Sequence, residues 1–177
     1  MSLTDILGIQ PALIGMVHLL PLPGSPRWAG SMGEVVEGAL EDARALEAGG
    51  FDALLVENYG DVPFTPGRVD AATVAAVTAV ISEIRRSVRL PVGVNVLKND
   101  SQSGLAIAAA TGARFIRVNV HVGAVVGDQG IIQSDAYNTL RYRRLLGADV
   151  KIFADVQAKH GVPLAPVELE QEARDCV

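Results

Sequence analysis

FIRVNVH (residues 115–121) alternates aliphatic and functional side chains. In an extended chain Ile116, Val118 and Val120 fall on one face, and Phe115, Arg117, Asn119 and His121 on the other. Such a strand offers an oily face to a layer of helices and a chemically equipped face to something else. Four further short apolar runs also finish on functional residues: IGMVHLL (14–20), ALLVEN (53–58), VGVNVLKN (92–99) and IFADV (152–156). They deliver His18, then Glu57 and Asn58, then Asn95 with Lys98 and Asn99, and finally Asp155.

Strand starts near 14, 53, 92, 115 and 152 are spaced by 39, 39, 23 and 37 residues. Each interval holds a helical pattern, and none is a hairpin between consecutive core strands, so the sheet is expected to be parallel. Helices are predicted over 34–48, 70–88, 101–111 and 135–146, and a fifth after Pro166 that still runs at Val177. The first carries Val36, Leu40, Ala43 and Leu46 on one face and stops at Gly49–Gly50. The second carries Val74, Val77, Ile81, Ile84 and Val88, with Asp70 at its N-cap. Residues 122–134 (VGAVVGDQGIIQS) form a long insertion after the fourth strand, with room for a short hairpin of its own.

Five strand–helix units in 177 residues have the density of a (β/α)8 barrel, which typically needs ~250 residues. The expected fold class is therefore α/β, a parallel TIM-barrel type that is incomplete, with 1–177 as a single partial domain. The rival is a five-stranded open sheet of flavodoxin type, which places its phosphate loop directly after the first strand. Here that loop is LLPLPGSPRWAGS (19–31), too rich in proline to wrap a phosphate closely.

Composition excludes several function classes. Apolar residues make up 49% and charged residues 20%, against disorder. A net charge of −5 argues against nucleic acid as a partner, because phosphate neutralisation needs clustered Lys and Arg. RYRR (141–144) reads instead as the solvent face of a helix. One cysteine, Cys176, cannot form an internal disulfide, which points to a reducing compartment. No run approaches the ~20 apolar residues of a membrane span, and Asp5 with no basic region argues against a secretory signal. The expectation is a cytoplasmic protein with no integral membrane segment.

The strand ends carry the chemistry, because carboxyl ends of parallel strands share one rim and ligands bind there. Glu57 and Asp155 lie across that rim and can divide acid and base roles. Arg117 lies mid-strand and would be enclosed, so an acidic partner is expected, Glu57 or Asp155 by position. Lys98 could hold a phosphate or act as an amine of lowered pKa. His18, His121 and His160, the three histidines, all fall at strand ends or just beyond. His18 and His121 with Glu57 and Asp155 also have the chemistry of a divalent-metal site, although no HxH or HExxH spacing supports one. Gly123, Gly127 and Gly130 around Asp128 and Gln129 either let backbone N–H groups approach an anion or serve turns. Catalytic work is expected of Glu57, Asp155, Lys98 and His121. Substrate binding is expected of His18, Asn58, Asn95, Arg117, Asn119, Asp128, Lys159 and His160.

The wording of five blocks is more specific still: GMVHLLPLPGSP (15–26), DALLVENYGDVPF (52–64), PVGVNVLKND (91–100), FIRVNVHVGAVVGDQGIIQ (115–133) and IFADVQAKH (152–160). Together, in this order, they resemble the BtpA/SgcQ family over nearly the whole chain. The resemblance implies a TIM barrel of the ribulose-phosphate-binding type. Some members of that family are described as factors for biogenesis or stability of photosystem I reaction-centre proteins, peripheral to thylakoids; others sit in sugar-utilisation operons and are taken for enzymes. The family's motif positions are matched at His18, Glu57, Asn58, Asp61, Asn95, Asn99, Asp100, Arg117, Asn119, Asp128, Gln129, Asp155, Lys159 and His160. The resemblance also implies three further strand–helix units that these 177 residues lack, with a phosphate site commonly on the loops after strands seven and eight. A shortened reading frame is the expected reason, and self-association over the bare edges of strands one and five the rival one. The functional expectation is an enzyme acting on a small phosphorylated metabolite by acid–base chemistry. The alternative is a non-catalytic assembly factor.

Overall fold

The structure, a computed structural model, describes residues 11–177. Its centre is a parallel sheet of five strands: β1 (Ile14–His18), β2 (Ala53–Glu57), β3 (Val92–Asn95), β4 (Phe115–Val118) and, after two intervening hairpin strands, β7 (Lys151–Ala154). Their order in the sheet follows their order in the chain, so each neighbour is reached by a strand–helix crossover. The crossovers contain α1 (Met32–Ala48), α2 (Ala71–Ser87), α3 (Ser101–Thr111) and α4 (Ala136–Leu146). Helix α5 (Leu169–Asp175) follows β7 and is capped at Cys176 rather than running through Val177.

The insertion after β4 does fold as a hairpin, β5 (Ala124–Gly127) and β6 (Gly130–Gln133). A short β8 (Val162–Pro163) pairs with β5 to make a second, three-stranded sheet. Gly127 lies opposite Gly130, with Asp128 and Gln129 as the turn. Of the two readings of that glycine cluster, the turn describes the geometry.

The two faces of the sheet differ as the alternation requires. Ile116, Val118, Leu54, Val56, Val92 and Val94 join the cluster that packs against α1, α2 and α3. Ala53, Leu55 and Phe115 form a separate cluster on the other face, with Ile14, Met16 and Phe153 against it. The rings of Phe115 and Phe153 stack there with centroids 4.6 Å apart. Gly93 is the reason Phe115 fits, because a Cβ at position 93 would collide with the Phe115 ring.

Several boundaries differ from the expected ones. The run 115–121 stops being strand at Val118 because the Asn99 side chain takes over the backbone of Val120: its Oδ1 accepts from Val120 N (2.9 Å) and its Nδ2 donates to Val120 O (2.9 Å). The run 92–99 ends at Asn95 for a similar reason. The Leu97 N–H donates to Asn58 Oδ1 (2.7 Å) and the Lys98 N–H to Thr65 O (3.2 Å), so neither joins the ladder. Helix α1 starts earlier than 34, with Ser31 as a side-chain cap, and turns Val35, Ala39 and Ala43 most deeply inward, with Val36, Leu40 and Leu46 flanking. Asp100, not Ser101, caps α3 by accepting from Ser103 N. Asp70 occupies the N-cap of α2 without a side-chain capping bond.

Among the described residues no helix is long and apolar enough to cross a membrane. The Gly93–Phe115 contact makes the sheet's inner layer testable. Gly93→Ala should lower stability by about 1–3 kcal/mol through overpacking, and adding Phe115→Leu should recover part of the loss. Urea unfolding of both variants measures this; a neutral Gly93→Ala would show that the inner layer is not packed as described.

Candidate functional site

Strand register builds the site. His18 lies opposite Glu57, and Glu57 opposite Asn95, so three polar side chains stand in one row across β1, β2 and β3. With strands ~4.8 Å apart, such a row brings neighbouring side chains within hydrogen-bonding reach. β4 continues the row with Arg117, two residues beyond Phe115 on the same face and opposite Phe153 of β7. Asp155 follows the last residue of β7, its N–H donating to Val118 O (3.0 Å).

These side chains close into a ring. Arg117 Nε and Nη2 donate to Asp155 Oδ1 and Oδ2, both at 2.9 Å, the paired geometry that a planar guanidinium favours. Its Nη1 donates to Glu57 Oε1 at 2.9 Å. Asn95 Nδ2 donates to the same Glu57 oxygen (2.9 Å) and to Asn119 Oδ1 (3.1 Å). Asn119 Nδ2 donates to Asp155 Oδ2 (3.0 Å) and completes the circuit. Both acidic partners considered for Arg117 are used at once, and the guanidinium bridges the two carboxylates across the rim. The hydrogen bond to Asp155 raises the Arg117 pKa, and the charges of Asp155 and Glu57 add to that against the effect of burial.

One carboxylate oxygen lies outside the ring. Glu57 Oε2 faces His18 Nε2 at 3.5 Å, and the His18 imidazole lies flat on the Tyr59 ring, 4.3 Å between centroids and 13° between planes. Exposure runs outward along this line, with side-chain accessibilities of 6% for Glu57 and 44% for His18. A proton at His18 is therefore in contact with solvent and with a buried carboxylate together. Tyr59, two residues past Glu57 and half exposed, is a site residue that the motif reading missed. Its signal was present, because i and i+2 share a face.

The remaining candidates are placed elsewhere or differently. Asn58 is buried and faces the loops, accepting from Leu97 N and donating to Asp61 Oδ2 (3.1 Å). Asp61 Oδ1 accepts from Leu22 N (2.8 Å), so this pair ties the loops after β1, β2 and β3 together. Gly60 sits where those loops touch, a Cβ there falling 2.7 Å from the Leu19 carbonyl oxygen. Lys98 is buried and its ammonium forms no ion pair among the described residues. Asp128 is exposed at the β5–β6 turn, and Lys159 and His160 are exposed in the turn before β8. None of these three joins the ring. Among the described residues no three His, Cys, Asp or Glu groups come together to hold a metal ion; Arg117 occupies the space between the two rim carboxylates.

His121 is buried, its Nδ1 has no hydrogen-bond partner among the described residues, and burial with help from the Arg143 charge holds its pKa below the ordinary value. It is a neutral imidazole at neutral pH, suited to accept or donate a hydrogen bond without carrying charge.

Arg117→Met leaves Glu57 and Asp155 facing each other without the guanidinium, and should destabilise the chain by roughly 3–5 kcal/mol in urea unfolding; a loss under ~1 kcal/mol would show that the ring is a surface feature. The unfolded chain protonates His121 more readily than the folded one. Its contribution to stability is therefore fully present above the ordinary imidazole pKa and is lost as pH falls through the folded value. His121→Gln should flatten the difference between unfolding midpoints at about pH 5.5 and 7.5; an unchanged difference would place the linked titration in another group.

Comparison with known proteins adds an independent line. A sequence model described as the BtpA family matches residues 9–177. The photosystem I biogenesis protein BtpA of Synechocystis is 50% identical over 165 residues, which cover 93% of this chain and 58% of that protein. An uncharacterised protein of Thermococcus kodakarensis is 51% identical over 156 residues, 88% of this chain and 59% of its own length. SgcQ, named for the sgc region of Escherichia coli, is 33% identical over 178 residues, 99% of this chain and 65% of its own. The chain thus spans about three fifths of the length of the relatives it matches.

Proposed function

The chain belongs to the BtpA family, and we propose that it forms part of a cytoplasmic (β/α)8-type enzyme acting on a small phosphorylated metabolite by acid–base chemistry. The ring of Glu57, Asn95, Arg117, Asn119 and Asp155 carries the reading, because four adjacent strands contribute to it at their carboxyl ends. A network of this density serves chemistry better than it serves folding, since buried ion pairs are seldom worth more than apolar packing. Glu57 and His18 are the proton-handling pair, one oxygen of Glu57 being fixed by Arg117 and Asn95 and the other turned to the imidazole. Asp155 is the second acid–base group, on the far side of Arg117. The buried Lys98 stabilises phosphate or developing negative charge. Asn95, Asn119 and neutral His121 bind substrate hydroxyl or carbonyl groups. Isomerase, aldolase-like lyase and hydrolase chemistry all use these roles. On this reading three further strand–helix units, or a second copy of the chain, cover the edges at β1 and β7.

A second reading rests on the relative named for photosystem I biogenesis, half identical over 165 residues. It makes the chain a non-catalytic factor that associates peripherally with a membrane complex. The two readings separate experimentally. A panel of sugar phosphates is screened by thermal shift against the chain and against a full-length relative, and stabilising compounds are followed for turnover. The acid–base reading predicts that one compound raises Tm and is converted, with turnover lowered roughly 10²–10⁴-fold in Glu57→Gln and in Asp155→Asn. No stabilisation by any compound, with membrane-complex association intact in both variants, would contradict it and favour the assembly factor.

A further inference from the structure

We propose that the cavity between the loops after β1 and β2 binds an uncharged, hydroxyl-rich ring of the monosaccharide type. The inference deepens the acid–base reading, on which it rests for the role of His18 and Glu57, by assigning where the unphosphorylated end of the substrate sits.

The cavity measures about 300 Å³, within the range of small-molecule sites. Its floor is Leu97 and Asn58, fixed to each other by the Leu97 N–H on Asn58 Oδ1 (2.7 Å). One wall is the Phe64 ring, a flat apolar surface suited to the C–H face of a sugar. The polar lining has hydrogen-bonding capacity of both kinds left over. Thr65 Oγ1 accepts from Gly67 N (3.2 Å) and keeps its own proton to donate, and the Thr73 hydroxyl and Asp70 carboxylate make no internal hydrogen bond among the described residues. Alcohol groups donate and accept together and so match such a lining, whereas the dianion of a phosphate monoester only accepts.

Charge argues the same way. Arg68 is the cavity's cation and its guanidinium is hydrogen-bonded to Gln102, while Asp61 and Asp70 bring two negative charges. Two carboxylates against one guanidinium leave a net charge of −1, which repels a phosphate. The cavity is linked to the rim through a line of aromatic contacts rather than through shared lining residues. Phe64 lies 6.4 Å from Tyr59, and Tyr59 stacks on His18, which faces Glu57.

Saturation-transfer NMR on the 177-residue chain with D-ribose and D-glucose, with inorganic phosphate as competitor, tests the inference. Saturable binding of at least one neutral probe is expected, without competition from phosphate. Phe64→Ala should weaken it roughly ten-fold, the scale of a lost aromatic contact. Asp70→Asn, an exposed and structurally mild change, should weaken it several-fold with the circular dichroism spectrum intact. The inference is overturned if no neutral probe saturates, if phosphate displaces the sugar, or if the sugar's affinity is unmoved by both variants. Turnover lost in Glu57→Gln bears on the acid–base reading, and sugar binding lost in Asp70→Asn bears on the cavity, so the two fail separately.

Discussion

A guanidinium held between two carboxylates organises this molecule. Arg117 stands two residues beyond Phe115 and in register with Phe153, beside their stacked rings, where an uncompensated charge would be strongly destabilising. Asp155 meets it with two parallel hydrogen bonds and Glu57 with one. The amides of Asn95 and Asn119 join the two carboxylates on the side away from the guanidinium. Such a network holds four strands in a single register at their carboxyl ends, since a one-residue slip of β2 or β3 would send Glu57 or Asn95 to the helical face.

The loops are fastened by the same chemistry used a second way. Asn58 and Asn99 lie near the ring in sequence but give their amides to backbone groups of Leu97 and Val120, which end β3 and β4. Asp61 extends the Asn58 link to the loop after β1. The rim is thereby rigid where the ring sits, while His18 and Tyr59 remain accessible above it. Fixed acceptors beneath and a solvent-facing imidazole above is an arrangement in which a proton can move without the scaffold moving.

Much of this was legible in the chain. The alternation in FIRVNVH assigns both faces of β4, and the cost of a buried charge requires an acid beside Arg117. The parallel order followed from strand spacing alone. What sequence could not supply was the destination of each amide. Asn58 and Asn95 look equivalent at their strand ends, yet one serves the loops and the other the ring, because strand parity at the last residue depends on where the ladder stops. That point is set by contacts from other loops, such as Asn99 on Val120. Lys159 and His160 carried functional chemistry in a functional position by number, but the turn before β8 leaves them in solvent. The cavity beside Phe64 had no motif, since it forms only when two loops far apart in sequence are tied by Asp61 and Leu22.

The most direct measurement is the side-chain nitrogen spectrum of Arg117 in labelled protein, compared between the native chain and Asp155→Asn. A guanidinium clamped by Asp155 and Glu57 predicts a slowly exchanging Nε–H signal and two resolved Nη environments, with the clamp visibly loosened in the variant. A rapidly exchanging signal with averaged Nη groups, unchanged by Asp155→Asn, would mean that the ring does not exist in solution and that the rim has no fixed site.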